Sequence, residues 1–141
     1  MPALYLALGS NIGARKANIM SALSFLNGYL GRYEVLSDIV ETEAFGFEGP
    51  AFLNCVVRYN TRKRPETILD ICKEIERRMG RTDQPQYAED GSRIYHNRIV
   101  DIDILLYGKT EMNTPKLTIP HPQVTERPFI RPLLEQVSKN D

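Results

Sequence analysis

Two aspartates inside one apolar stretch are where chemistry first becomes legible in this chain. Arg98 to Tyr107 reads Arg-Ile-Val-Asp-Ile-Asp-Ile-Leu-Leu-Tyr and stops at Gly108. β-Branched and aliphatic residues bounded by a glycine predict a strand. Side chains alternate faces along a strand, so Val100, Ile102, Ile104 and Leu106 are expected on one face. Ile99, Asp101, Asp103, Leu105 and Tyr107 are expected on the other. The two carboxylates then share a side, with Cα atoms about 6–7 Å apart by strand rise. Like charges that close in an apolar strand are costly unless something neutralises them. A hard divalent cation such as Mg²⁺, which accepts a carboxylate or two along with substrate phosphates, is the natural neutraliser. Taken alone, the pair reads equally well as two solvated side chains on an exposed sheet face. Asp is disfavoured in strands and Arg98 lies just upstream, which tilts the reading toward a site.

Other residue groups have functional readings of their own. Ala44-Phe-Gly-Phe-Glu-Gly-Pro50 is a loop with two phenylalanines, Phe45 and Phe47. They either close over the core or stack on a flat ligand. Phe52 and Asn54 fall on one face of a predicted strand, and an aromatic beside an amide suits a heterocycle. An Asn near a strand end also serves as a local cap. Residues 81–94 are polar and without period, with Arg81 and Arg93 near their margins and Arg98 just beyond. A loop of this length suits a lid over a phosphate-bearing ligand. In Thr118-Ile-Pro-His-Pro122, two prolines set His121 in a rigid, extended segment near Lys116 and Arg127. His121 is either a phosphate contact or an ordinary surface histidine.

The elements that must position these residues follow from pattern and punctuation. Ala3 to Leu8 is a continuous apolar run, expected as a central strand buried on both faces. Gly9-Ser-Asn-Ile-Gly13 turns the chain; it matches neither GxxxxGK[ST] nor GxGxxG, so it reads as a tight strand-to-helix turn. Ile19, Ala22, Leu23, Leu26 and Leu30 recur at helical spacing from Arg15 until Gly31. Tyr33 to Glu43 reads as a second strand and Ala51 to Asn60 as a third. A helix starts at Pro65, carries Ile68, Leu69, Cys72, Ile75 and Met79, and closes at Gly80. The acidic strand is the fourth, and Phe129 with Pro132-Leu-Leu134 forms an apolar tail. Strand, helix, strand, strand, helix, strand is the ferredoxin-like βαββαβ order of an α+β fold. Its antiparallel sheet is expected to carry helices on one face and the ligand site on the other.

Composition narrows the partners. The chain of 141 residues is sized for one domain over 1–141, with 42% hydrophobic residues, enough for a core. Lys+Arg and Asp+Glu both number 18. Zero net charge removes the simplest case for nucleic acid or an anionic membrane, but not for a small anion held by local arginines. Cys55 and Cys72 lie in apolar patterns and are expected as reduced core thiols. The opening apolar run is too short for a signal peptide or a span. A cytoplasmic monomer is the expectation.

Taken in order, certain blocks carry a resemblance. Leu8-Gly-Ser-Asn11, Glu41-Thr-Glu, Phe52-Leu-Asn54, Ile75-Glu-x-x-x-Gly-Arg81, Arg98-x-x-Asp-Ile-Asp-Ile-Leu105 and Leu117-Thr-Ile-Pro-His-Pro122 run across nearly the whole chain. The set closely resembles the 6-hydroxymethyl-7,8-dihydropterin pyrophosphokinases of folate biosynthesis. The resemblance implies transfer of pyrophosphate from ATP to the pterin hydroxymethyl group, with release of AMP. It implies two Mg²⁺ ions on Asp101 and Asp103, and Arg81 and Arg98 against the charge on the phosphates. It further implies Thr42, Phe45, Phe52, Asn54 and Phe129 at the pterin, with Phe52 and Phe129 stacking. Glu76, Ile104, Lys116, Thr118, His121 and Arg127 are implied at ATP. The expected partners are therefore ATP and a dihydropterin, with no nucleic acid and no membrane.

The chain departs from the family pattern in places. Thr42-Glu43 stands where many members have Thr-Pro, and Tyr95-His-Asn-Arg98 where Trp-Gly-Pro-Arg is common. The preceding lid is longer than usual, and Lys116 replaces a frequent arginine and its bidentate geometry. Two competing readings remain. A small-molecule-sensing module on the same fold would have no use for paired aspartates on a strand. An RNA-binding sheet would need exposed aromatics and a basic face.

Overall fold

The computed structural model describes residues 1–43, 49–80 and 99–138, together with the backbone of 86–87 and 93–94. In chain order the elements are β1 (Ala3–Ser10), α1 (Arg15–Leu30), β2 (Val35–Leu36), β3 (Val40–Thr42), β4 (Phe52–Asn60) and α2 (Pro65–Arg78). They continue as β5 (Gln86–Tyr87), β6 (Arg93–Ile94), β7 (Asp101–Tyr107), β8 (Met112–Asn113), β9 (Thr118–Ile119), α3 (Gln123–Glu126) and α4 (Ile130–Val137). The fold is α+β. The main sheet runs β2–β4–β1–β7, with β3 also on β4, and the recorded pairings are antiparallel. The opening apolar run is indeed the interior strand, flanked by β4 and β7.

Helices α1 and α2 bury the stripes their spacing announced. Ile19, Ala22, Leu23 and Leu26 of α1 meet Ile68, Cys72 and Ile75 of α2 over Leu4, Leu6, Leu8, Val57 and Ile102. Pro65 occupies the first turn of α2, where its missing N–H costs nothing. Gly31, at φ 84°, ends α1 with its N–H on the Asn27 carbonyl. Cys55 and Cys72 are free and buried. Burial pushes the Cys55 thiol up to about 12. It also raises Cys72, with the negative charges of Glu76 and Asp103 adding to the effect.

The expectation of helices on one face only is corrected. Ile130, Leu133, Leu134 and Val137 of α4 pack on Ala7, Val56 and Leu105, on the opposite side of the sheet from α1 and α2. The apolar tail is therefore a helix, and the ligand face is open only beyond its end. The second strand is also broken: Leu36 pairs with Val57 but Val40 with Asn54, so one extra residue is inserted. Ser37 fills the break, its N–H donating to the Val56 carbonyl and its Oγ accepting the Val56 N–H at 2.8 Å.

A second irregularity falls within the acidic strand. Tyr5 pairs with Leu106 and Leu6 with Ile104, which leaves Leu105 without a partner on β1. This β-bulge reverses the facing of the residues beyond it. Leu106 therefore joins the α4 side, and Tyr107 the core under α1 and α2. That is the reverse of strict alternation from Asp101. Tyr107 is 4% exposed, and its hydroxyl donates to the carbonyl oxygens of Thr61 (3.0 Å) and Lys63 (2.5 Å). Tyr107→Phe is expected to destabilise the protein by about 1–3 kcal/mol, because the buried Thr61 carbonyl loses a donor. Chemical denaturation checks it, and an unchanged midpoint would mean that water replaces the hydroxyl without loss.

Candidate active site

Beyond the end of α4 the sheet opens into a cleft of about 740 Å³. Its floor is set by register. Gly9 of β1 pairs with Asn54 on one side and Asp101 on the other, and Ala7 pairs with Val56 and Asp103. The central strand thus contributes its smallest side chains between an amide on β4 and two carboxylates on β7. A Cβ built on Gly9 would stand 2.9 Å from Asn54 Oδ1 and 3.4 Å from Phe52 Cδ1. Asn54 Nδ2 donates to Thr42 Oγ1 at 2.6 Å, which turns its Oδ1 toward Gly9.

The chain entering this floor is tied to the first turn. Asn11 Nδ2 donates to the Pro50 carbonyl at 3.2 Å, and Arg15 Nη1 to the Ala51 carbonyl at 2.8 Å. Arg15 also pairs with Glu41 at 2.7 Å. Asn11 of the glycine-bounded turn and Arg15 at the start of α1 therefore anchor the margins of the aromatic loop.

On the other flank the cleft wraps the outer edge of β7. Glu76 of α2 is 3% exposed, and its Oε2 accepts the main-chain N–H of Ile102, the residue between the two aspartates. Lys116 sits in a turn clamped by Thr114, whose Oγ1 accepts the Leu117 N–H at 3.1 Å. The His121 N–H donates to the carbonyl of the bulged Leu105 at 2.9 Å. That bond fastens the Pro-His-Pro segment, which follows a cis Ile119–Pro120 bond, to the acidic strand. Gln123 Nε2 donates to Asp103 Oδ2 at 2.7 Å, and the Gln123 N–H donates to His121 Nδ1 at 3.1 Å.

Thr42, Phe52, Asn54, Glu76, Asp101, Asp103, Ile104, Lys116, Thr118, His121, Arg127 and Phe129 all line this one cleft. Asp101 and Asp103 are half-buried, as are Phe52, Arg127 and Phe129; Lys116 is exposed. Phe45, Arg81 and Arg98 lie outside the described residues, as does the expected lid apart from the backbone of 86–87 and 93–94. Sequence reasoning missed Gly9, Lys73 and Gln123, which also line the cleft. Gly9 becomes visible only once register places it opposite Asn54. Lys73 falls on the same helix as Glu76, three residues earlier. Gln123 follows the proline after His121 and carries no motif of its own.

The donor set suits a hard cation. Asp101 and Asp103 supply oxygen from one rigid strand, and no group of three or more His, Cys, Asp or Glu gathers among the described residues. Such a pair leaves coordination positions for water and phosphate oxygens, as Mg²⁺ prefers. Lys73, Lys116, His121 and Arg127 stand around it. An aromatic and amide floor continues into an acidic strand ringed by basic groups. That arrangement has the chemistry to hold a flat ligand beside a phosphorylated one, as phosphoryl transfer requires.

Comparison with known proteins makes the class specific. The profile of the 7,8-dihydro-6-hydroxymethylpterin-pyrophosphokinase (HPPK) family matches residues 5–139. The chain is 43% identical over 140 residues to a 2-amino-4-hydroxy-6-hydroxymethyldihydropteridine pyrophosphokinase of Porphyromonas gingivalis, covering 98% of this chain and 92% of that one. It is 36% identical over 137 residues to the protein of the same name from Aquifex aeolicus, covering 96% and 80%. It is also 38% identical over 138 residues to a folate synthesis bifunctional protein of Arabidopsis thaliana, covering 96% of this chain and 27% of that one. The chain belongs to the HPPK family.

The floor generates a prediction independent of any ligand. Gly9→Ala is expected to displace the Asn54 amide and break its bond to Thr42, costing about 1 kcal/mol. The shift should be read from the Asn54 side-chain amide resonances and the denaturation midpoint. If both stay in place, the floor has more room than the backbone indicates.

Proposed function

We propose that this cleft carries out the family reaction: transfer of the β,γ-pyrophosphoryl group of ATP to the hydroxymethyl group of 6-hydroxymethyl-7,8-dihydropterin. The pterin hydroxyl oxygen bonds to the β-phosphorus as the bond from that phosphorus to the α–β bridging oxygen breaks. AMP leaves with the bridging oxygen and the hydroxyl proton is released. The product enters folate biosynthesis. The observation that carries the reading is the convergence of the aromatic and amide floor, the acidic strand and the basic surround in one cleft of a family member.

The residues divide the work by chemistry. Phe52 and Phe129 stack on the pterin, Phe45 of the aromatic loop contacts it, and Thr42 and Asn54 hydrogen-bond its edge. Asp101 and Asp103 would hold two Mg²⁺ ions, whose charge would offset that of the triphosphate. Phosphoryl transfer asks the protein mainly for positioning and charge neutralisation, so no dedicated general base is required. Lys116, Thr118, His121 and Arg127 bind the nucleotide, and Ile104 offers it an apolar contact at the strand edge. Arg81 and Arg98 bear on the charge that shifts to the leaving group. Glu76 acts by holding the Ile102 N–H, and with it the strand between the aspartates. Residues 1–141 act as one pyrophosphokinase unit, monomeric and cytoplasmic. The sensing-module and RNA-binding readings lack any such use for the acidic pair, and family membership sets them aside.

Product analysis tests the reaction. With ATP, Mg²⁺ and the pterin, AMP should appear in a pterin-dependent manner without ADP. ADP instead would mean an ordinary kinase on the same scaffold, and no turnover in folded protein would overturn the reading. Asp101→Ala or Asp103→Ala should lose more than the roughly 10–100-fold that follows loss of a metal ligand's outer partner. Circular dichroism and the melting temperature should be preserved. Near-normal turnover in either variant would remove that aspartate from the metal site.

A further inference from the structure

Gln123 is a buried polar residue, 7% exposed, to which neither the family resemblance nor the motif reading gives a task. It spends both of its amides on residues of the cleft. Its side-chain Nε2 donates to Asp103 Oδ2 at 2.7 Å, and its main-chain N–H donates to His121 Nδ1 at 3.1 Å. We infer that Gln123 is a positioning residue, which orients the Asp103 carboxylate for a cation and sets the His121 imidazole as a donor through Nε2.

The first half follows from the capacity of a carboxylate. An ionised Asp has roughly four acceptor sites on its two oxygens. The Gln123 amide takes one of those on Oδ2, and among the described residues Oδ1 is left open. The amide is neutral, so it fixes the rotamer of Asp103 without cancelling the charge a cation needs. A lysine or arginine in its place would compete with that cation. Outer hydrogen bonds of this kind hold metal ligands in the bound orientation before the metal arrives. Rotamer freedom is then restricted in advance rather than on binding.

The second half follows from donor and acceptor identity. A main-chain N–H can only donate, so the Nδ1 it meets must be an acceptor. In the neutral imidazole the proton then lies on Nε2. His121 is further held by its own N–H on the Leu105 carbonyl. It lines the cleft with Nε2 as its donor nitrogen, suited to a phosphate oxygen. The side chain of Gln123 serves the acidic strand and its main chain serves the histidine, so substitution separates the two.

The cation half rests on the proposed reaction, whereas the histidine half does not, and the experiment keeps them apart. In the free ¹⁵N-labelled protein in mildly alkaline buffer, long-range ¹H–¹⁵N correlation should show His121 as the Nε2–H tautomer. It should remain so in Gln123→Leu, which retains the main-chain N–H. A proton on Nδ1 would overturn the histidine half whether or not the protein turns over pterin. For the cation half, Mg²⁺ is titrated calorimetrically into protein holding a non-hydrolysable ATP analogue. Gln123→Leu should raise the half-saturating Mg²⁺ concentration about tenfold and leave pterin affinity unchanged. Gln123→Asn, which keeps an amide but is too short to reach, should behave in the same way and guards against a folding defect peculiar to leucine. Unchanged Mg²⁺ binding in either folded variant, or equal losses of Mg²⁺ and pterin affinity, would overturn it.

Discussion

The extra residue in the acidic strand organises much of what surrounds the cleft. Upstream of Leu105, β7 alternates regularly, and that regularity brings Asp101 and Asp103 to the same side as Gly9 and Asn54. At Leu105 the ladder skips, and the Leu105 carbonyl accepts the His121 N–H. Buried carbonyls need partners, and here the partner is the segment that brings His121 and Gln123 to the cleft. Beyond the bulge Tyr107 faces the helix-side core, where its hydroxyl secures the chain at Thr61 and Lys63, leading into α2. The inserted residue thus links two things: the anchoring of the histidine segment and the seating of the helix that carries Glu76. Bulges of this kind are often found where a strand must re-aim side chains.

Steric emptiness is the second constraint. On β1 the residues facing the cleft are Ala7 and Gly9, while those facing the helices are Leu4, Leu6 and Leu8. The strand fills the core on one side and leaves room on the other. Where α4 lies across the open side, the same small surface is buried by Ile130 and Leu133. Ahead of Ile130 it is left uncovered, and Phe129 marks the boundary. The cleft is therefore the portion of one sheet face that α4 does not reach.

How much of this was legible in the sequence varies with the physics behind each feature. The bounds of α1, the central position of β1 and the shared face of Phe52 and Asn54 follow from periodicity and punctuation, and those expectations hold. The bulge left no trace, because Leu105, Leu106 and Tyr107 are apolar enough to be buried on either face. Helix α4 was hidden by Pro132, which reads as a breaker. It falls in the first turn, where the main-chain N–H has no intrahelical acceptor to lose. Ser37 looked like an ordinary strand residue, but its hydroxyl substitutes for a ladder partner of Val56. Gln123 was silent because its function depends on tertiary contacts with residues two and twenty positions away. Periodicity reports burial, whereas register and side-chain hydrogen bonds across elements do not show in it.

The distribution of charge follows a related division. The chain is neutral overall, yet its cleft separates a carboxylate pair from the cationic side chains around it. The carboxylates sit on a strand braced by β1, by Glu76 at Ile102 and by Gln123 at Asp103. Like charges repel, so side chains free to turn would swing apart and bind a cation poorly; they need a rigid element. Cations facing a polyphosphate have the opposite requirement, since the ligand's charge is spread over several oxygens. Lys116 at the tip of a turn and Arg127 at the end of α3 carry that charge on long side chains at the ends of elements. In the proposed reaction the basic groups would meet the nucleotide from the ends of elements while the acidic pair stays on a braced strand, so rigidity is concentrated where repulsion must be held in check.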